Sequence, residues 1–314
     1  MSRDAFSYHP QDADETRGTS TLGPVRQQKS ASPEARESRN PAPERRGRAD
    51  DAAARKQHST RDERSDSPRA YCVRDREYLL RDSEMNSLNE IGKFRVIRVS
   101  DLAKFAYGRN RERMEKDIRA LARKSLVRDK TFEISQKKTL RVVTLTKAGH
   151  RVLKNTNQVP EDQPIYHGLV KPREVKHDAD LYRLYQKEAA RIERAGGRPV
   201  RVLLDYELKR NLNRDLALLG PEKDNPNRKR EVAEKHHLRV VNGKIAVPDL
   251  RVEYENPVLE LRHVDLELAT RDYRPRAMAA KVAAGFSLYA RSEDASRLRR
   301  VLDEREITAG ILTL

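Results

Sequence analysis

The stretch RNRERMEKDIRALARK, Arg109–Lys124, decides how the chain is read. Met114, Ile118, Leu121 and Ala122 fall at the spacing of one buried helix face. Arg109, Arg113, Lys116, Arg119 and Arg123 crowd the opposite face. Working outward, Gly108 breaks a short helix that Ser100-Asp101 starts and that runs through Ala106. Ahead of it, Arg95–Val99 reads as a small strand. A helix is expected over Val73–Ile91, with Tyr78, Leu79, Met85, Leu88 and Ile91 as its apolar positions and Gly92 as its cap. On the other side come two strand-like runs, Thr131–Ile134 and Leu140–Leu145, joined by Ser135-Gln136-Lys137-Lys138. A last short helix begins at Thr146–His150.

That order resembles the winged helix-turn-helix superfamily. The resemblance implies a helix entering a DNA groove, with cations on phosphates and a few side chains on base edges. Arg109, Arg113, Lys116, Arg119 and Arg123 are then the DNA-binding residues of the helix, and Lys137, Lys138 and Arg141 touch the backbone from the wing. The competing reading is a solvated charged face on a protein-interaction winged helix. Phe105 and Tyr107 read as core or hinge residues, because a single-strand binder wants several exposed aromatics and this chain has 5% aromatics and no Trp.

Composition agrees with a placed basic module. The chain has 314 residues, enough for about two domains, and a net charge of +17. Residues 71–157 alone net +11, against +2 for 1–70 and +4 for 158–314. Such an excess points to a polyanion, most simply nucleic acid, and the winged-helix resemblance implies double-stranded DNA. Charged residues (37%) outnumber apolar ones (36%), too polar for one packed unit of this length. Residues 1–70 account for much of this and read as a disordered charged tail, since so few apolar groups cannot offset ordering entropy of about 1–2 kcal/mol per residue. No apolar run approaches a membrane span of about 18–20 residues, so no membrane role is expected. Cys72 is the single cysteine, which excludes a disulfide framework and fits a reducing, cytoplasmic setting. No Walker-type glycine loop is present, so nucleotide hydrolysis has no support.

The remaining half is expected to be a linker over 158–176, with Pro160, Pro164 and Pro172, and then a domain over 177–314. The expected elements are a helix at His177–Arg194, a strand at Val200–Glu207, strands at Lys244–Tyr254 and Leu259–Ala269, a helix at Pro275–Ala290 and a strand at Ile307–Leu314. Alternation puts Asp265, Glu267 and Ala269 on one strand face. The fold class is therefore α/β (α+β), a winged helix followed by a mixed-sheet domain.

This second order resembles the core of the PD-(D/E)xK, restriction-endonuclease-like superfamily. Pro248-Asp249 and Glu267 stand where that superfamily places its motif. The resemblance implies Asp249 and Glu267 as catalytic carboxylates, and Asp249, Glu267 and Asp265 as donors to Mg²⁺, a hard cation that needs such oxygens. The lysine expected two residues after Glu267 is Ala269; Lys281 on the following helix is the candidate replacement. That departure favours lost or altered catalysis. His263 shares the strand face as a hydrogen-bonding neighbour, and His236-His237 reads as a solvated helix end.

Winged helix and nuclease-like core together, over roughly 71–314, resemble the replication-relaxation family of plasmids and integrative elements. The matching positions are Leu145-Thr146 with Gly149, Asp205 or Glu207, Pro248-Asp249, Val264–Glu267, Lys281 and Tyr289. The resemblance implies a DNA-binding protein of a mobile genetic element, acting in replication, relaxation or mobilisation beside other replication or transfer proteins. Two alternatives stand: a metal-dependent DNA endonuclease, and a winged-helix transcriptional regulator.

Overall fold

Arg69–Val73 (β1) and Arg76–Leu80 (β2) form an antiparallel hairpin, where the sequence predicts the start of a helix. Tyr71 and Tyr78 face each other across it, and Val73 and Leu80 are buried on the same alternation. The turn is made by Arg74, whose φ of 55° is left-handed without a glycine. The helix begins later, at Asp82, and runs to Gly92 (α1). The computed structural model describes residues 67–136, 138–270, 273–304 and 310–314. The tail read at 1–70 lies outside the described residues as far as 66, and Arg69 and Ala70 belong to β1. Lys137 also lies outside them.

The basic module follows the expected order. Ile97–Arg98 (β3) leads into Val99–Phe105 (α2) and then Arg111–Arg123 (α3). Val127–Ser135 (β4) and Lys138–Leu145 (β5) form the hairpin, and β3 joins β5 in a three-stranded sheet. Lys147–Asn155 (α4) closes the module, capped by Thr146, whose hydroxyl accepts from Gly149 N at 3.1 Å. Gly149 is fixed by close approach: a Cβ there would lie 2.1 Å from the Leu126 carbonyl oxygen.

Val175–Arg194 (α5) is the central helix. Behind it lies a five-stranded sheet whose strands stand in the order 311–313, 287–290, 261–269, 250–255 and 198–204. Arg198–Leu204 (β6), Leu250–Glu255 (β9) and Leu261–Ala269 (β10) pair antiparallel. Ser287–Ala290 (β11) and Ile311–Thr313 (β12) add parallel strands. Parallel neighbours need crossovers, and two helices supply them: Pro275–Ala283 (α8) and Ser292–Asp303 (α9). The sequence predicts one helix through Ala290; Phe286 and Tyr289 instead lie after its end, with Tyr289 on β11, and α9 is additional. Between β6 and β9 the chain forms Asp205–Leu218 (α6), Pro226–Lys235 (α7) and the small ribbon Val240–Val241 (β7) and Lys244–Ile245 (β8). The predicted first strand thus ends at Leu204, with Asp205 and Glu207 in the first turn of α6. Among the described residues no helix is long and apolar enough to cross a membrane.

The basic module and the mixed sheet share one hydrophobic cluster, from Leu88, Phe94 and Leu102 through Tyr182 and Leu184 to Val252 and Leu268. Phe94 meets Tyr182 edge-on at 5.1 Å between ring centroids. Buried charges accompany it: Asp180 accepts from Arg98 (2.9 Å) and Arg291 (2.6 Å), and Asp101 from Arg183 (2.8 Å). The segment 158–176 differs from a free linker. The buried Gln163 side chain bonds both the amide and the carbonyl of Val202 at 2.9 Å, and Tyr166 N donates to Gly92 O at 2.8 Å. Backbone groups buried this way find partners on both sides, which straps the two halves together.

Candidate functional site

The first candidate surface is the outer face of α3. Its inner face buries Met114, Ile118 and Leu121. Asp117, fully buried beside them, accepts from Arg81 Nη2 at 2.7 Å and Tyr107 Oη at 3.0 Å. Asn110 caps the helix by accepting from Arg113 N at 3.0 Å, and Lys124 at the other end bonds the buried Glu84 at 2.9 Å. A helix fixed at both ends and through its middle holds its outer side chains in one direction. Lys116, Arg119 and Arg123 are exposed there, at i, i+3 and i+7, and Arg109 is exposed ahead of the helix, with a left-handed φ of 73°. Arg113 is half-buried, and Lys138 is exposed at the start of β5.

Arg141, expected to touch the DNA backbone from the wing, is half-buried and already ion-paired. Its guanidinium bonds Glu115 on α3 (Nη1 to Oε1, 2.5 Å) and Asp129 on β4 (Nε to Oδ1, 3.0 Å). These hydrogen bonds hold the Glu115 carboxyl below its usual range. Arg141 therefore braces α3 against the hairpin. The sequence shows its charge but not the two non-local carboxylates that consume it.

The second candidate is a carboxylate site at the end of β9. Pro248 has no amide hydrogen, and the β9–β10 register stops at Leu250–Leu266. The Asp249 side chain continues the ladder by accepting from Leu268 N at 2.9 Å. Glu267 accepts from the backbone amide of Asp249 at 3.3 Å. Lys281, reaching from α8, lies 2.8 Å from Glu267 Oε1 and donates to Val247 O at 2.8 Å. Tyr273 also donates to Glu267 Oε1.

Two residues here carry no local signal in the sequence. Tyr273 is one, and His177, near the start of α5, is the other. His177 Nε2 lies 3.3 Å from Asp249 Oδ2, and Nδ1 lies 3.3 Å from Asp178 Oδ1. Burial works against its charged form, but the bonds to Asp178 and Asp249 outweigh burial and push the imidazole up to about 10. Burial likewise opposes ionisation of Asp249, yet His177 and the Leu268 amide bring its carboxyl below the usual range. Glu267 moves the other way: burial first, then the neighbouring Asp249 charge, raise it despite Lys281. Two carboxylates with opposed shifts suit different roles, one ionised and one holding a proton more readily.

Asp265 does not join them. It is 8% exposed and accepts from Arg251 across the strand pair, at 2.6 and 2.8 Å. Arg251 in turn donates to the carbonyls of His236 and His237. Direct cross-strand register explains this pairing and removes Asp265 from the donors expected for Mg²⁺. His263 lies against His237, with ring centroids 5.4 Å apart, and His236 bonds Asp215 at 3.1 Å. Among the described residues no group of three or more His, Cys, Asp and Glu is poised for a metal ion. Asp249 and Glu267 still have the oxygen chemistry of a hard-cation site, and the Lys281 ammonium on Glu267 and the Val247 carbonyl shows that positive charge is accepted there.

No protein-family model matches the chain, and no curated protein does. Among solved structures, the crystal structure of Bacillus subtilis PadR in complex with operator DNA is similar over 50% of this chain and 92% of that chain. The identity is 13% and the TM-score 0.21. At that score the likeness carries no functional weight, which stays with the chain's own residues.

Proposed function

We propose that the chain is a DNA-binding protein of a mobile genetic element, acting in plasmid replication, relaxation or mobilisation. The observation that carries DNA binding is the exposed row Lys116, Arg119 and Arg123 on a helix braced from behind by Asp117 and Arg141. Such a row presents three cations along one edge of the helix, the arrangement that phosphate contacts along a groove call for. The sequence resemblance to the replication-relaxation family supplies the setting. Charge reversal tests the interface: Arg119→Glu with Arg123→Glu should weaken duplex binding uniformly across sequences and shallow the salt slope by about 2, one for each lost phosphate contact. Unchanged affinity removes α3 as the DNA helix. Footprints at an origin or transfer region support the mobile-element setting, whereas protection of its own promoter points to a transcriptional regulator.

A second reading, a metal-dependent DNA endonuclease of PD-(D/E)xK type, is favoured by Lys281 lying on Glu267 in place of the missing strand lysine. Asp249 and Glu267 would hold Mg²⁺, which when bound activates water and offsets phosphate charge. Within the chain, Lys281 holds positive charge at Glu267, and Tyr273 orients the same carboxylate. Mg²⁺-dependent nicking that Asp249→Ala abolishes supports this reading; the absence of cleavage with any divalent metal rejects it.

A further inference from the structure

A cavity of about 610 Å³ adjoins the carboxylate site and takes no part in it so far. Its walls come from the β3 approach, the start of α5 and the first three turns of α6. His177 belongs to both places, since it lines the cavity and bonds Asp249. Asp205, another lining residue, donates its amide to the Asp249 carbonyl at 3.1 Å. Anything seated in the cavity therefore lies one side chain from Asp249.

We propose that this cavity takes one nucleotide unit, with its phosphate on Arg95, Lys209 and Arg210 and its base on the ring of Tyr206. The volume falls within the range of about 300–1,000 Å³ usual for small-ligand sites. The lining sets Arg95, Lys209 and Arg210 beside Glu174, Asp178 and Asp205, with Tyr206 and Asn213 available to a base. Tyr206 is 55% exposed at the first turn of α6 and offers a stacking face. Asn213, two turns along the same helix, offers an amide to a base edge. The three cations are oriented by carboxylates: Arg95 Nη1 by Asp178 at 3.2 Å, Lys209 by Asp205 at 2.7 Å and Arg210 Nη2 by Glu207. A guanidinium has five N–H donors and an ammonium three, so one ion pair apiece leaves capacity for phosphate oxygens. The carboxylates also keep the site from being a bare anion trap, which favours a ligand with a base to stack. The inference rests on the DNA-binding reading and adds to it a place for a nucleotide away from α3.

The test measures anisotropy of a labelled single-stranded oligonucleotide with the full chain, and duplex binding alongside. Tyr206→Ala should weaken single-strand binding about tenfold, the scale of one base–aromatic stack, while Tyr206→Phe should bind as the parent does. Arg210→Ala should weaken it as well, and both variants should keep parental duplex affinity. Competition by deoxyadenosine monophosphate distinguishes the source. Displacement supports a site open to a free nucleotide, and no displacement with Tyr206-dependent oligonucleotide binding supports a nucleotide within a strand. Parental single-strand affinity in both Tyr206→Ala and Arg210→Ala overturns the proposal. Failure of the α3 reading shows separately, as duplex affinity unmoved by Arg119→Glu.

Discussion

The Lys281 ammonium lies 2.8 Å from Glu267 Oε1, although Ala269 stands on β10 where a lysine of the same strand would be. A helix one crossover later supplies the charge. The parallel step from β10 through α8 to β11 returns the chain over the strand end, so a residue near the end of α8 reaches back to Glu267. The ammonium also lies 5.3 Å from the Phe286 ring centroid, which helps hold it there.

Removing that ammonium leaves a buried carboxyl whose ionisation already costs stability. Lys281→Ala should destabilise the fold by about 3 kcal/mol at pH 7, the low end for breaking a buried ion pair. The loss should be smaller at pH 5 than at pH 7, because Glu267, raised by burial and by Asp249, takes up a proton more readily than an ordinary carboxyl and then needs no counter-charge. Urea midpoints at the two pH values measure both, and an equal loss at each would contradict the raised Glu267.

His177 sets a second pH dependence, at higher pH. Its folded value of about 10 lies above the ordinary 6.5, so its contribution is fully present below about 6.5 and is lost as pH rises toward 10. The parent should therefore lose stability steadily over that window. His177→Gln keeps a side chain of similar reach without the charge, and its stability should change less across the same window. Parallel pH profiles for parent and variant would show that the contacts to Asp178 and Asp249 are not charged.

How much of this was legible in the sequence varies with how local its cause is. The α3 face was legible because helix spacing alone sorts Met114, Ile118 and Leu121 from Lys116, Arg119 and Arg123. Asp249 and Glu267 were singled out by the resemblance to the nuclease-like core, and alternation set the strand face of Glu267. The strand read over Lys244–Tyr254 instead divides into β8 and β9, with Asp249 just ahead of β9. Arg141 and Asp265 looked equally available, yet each is paired with carboxylate or guanidinium brought in from elsewhere by register. His177 is 72 residues from Asp249, and no local pattern joins them. The β1–β2 hairpin was hidden because Arg74 makes a left-handed turn without the usual glycine or asparagine.

The bracing role of Arg141 separates from a DNA contact in one experiment. Arg141→Ala should lower the thermal midpoint, because Glu115 and Asp129 lose their shared partner. Duplex affinity measured well below that midpoint should stay close to parental, since the exposed row on α3 is unaltered. A large affinity loss with an unchanged midpoint would return Arg141 to the interface.

Asp180 tests whether the basic module and the mixed sheet unfold together. It is 1% exposed and holds Arg98 from the module and Arg291 from the sheet, within a hydrophobic cluster common to both. Because Phe94 packs on Tyr182 and Gln163 straps Val202, neither half keeps a complete core if the other melts. Denaturation should therefore be one cooperative transition, with far-ultraviolet and tyrosine signals coincident. Asp180→Ala leaves two half-buried guanidinium groups without their shared carboxylate and should cost about 3 kcal/mol, the low end for breaking a buried pair, shifting both signals together. Two separated transitions in the parent would mean that the shared cluster does not couple the halves, and the basic module would then be expected to fold and bind DNA alone.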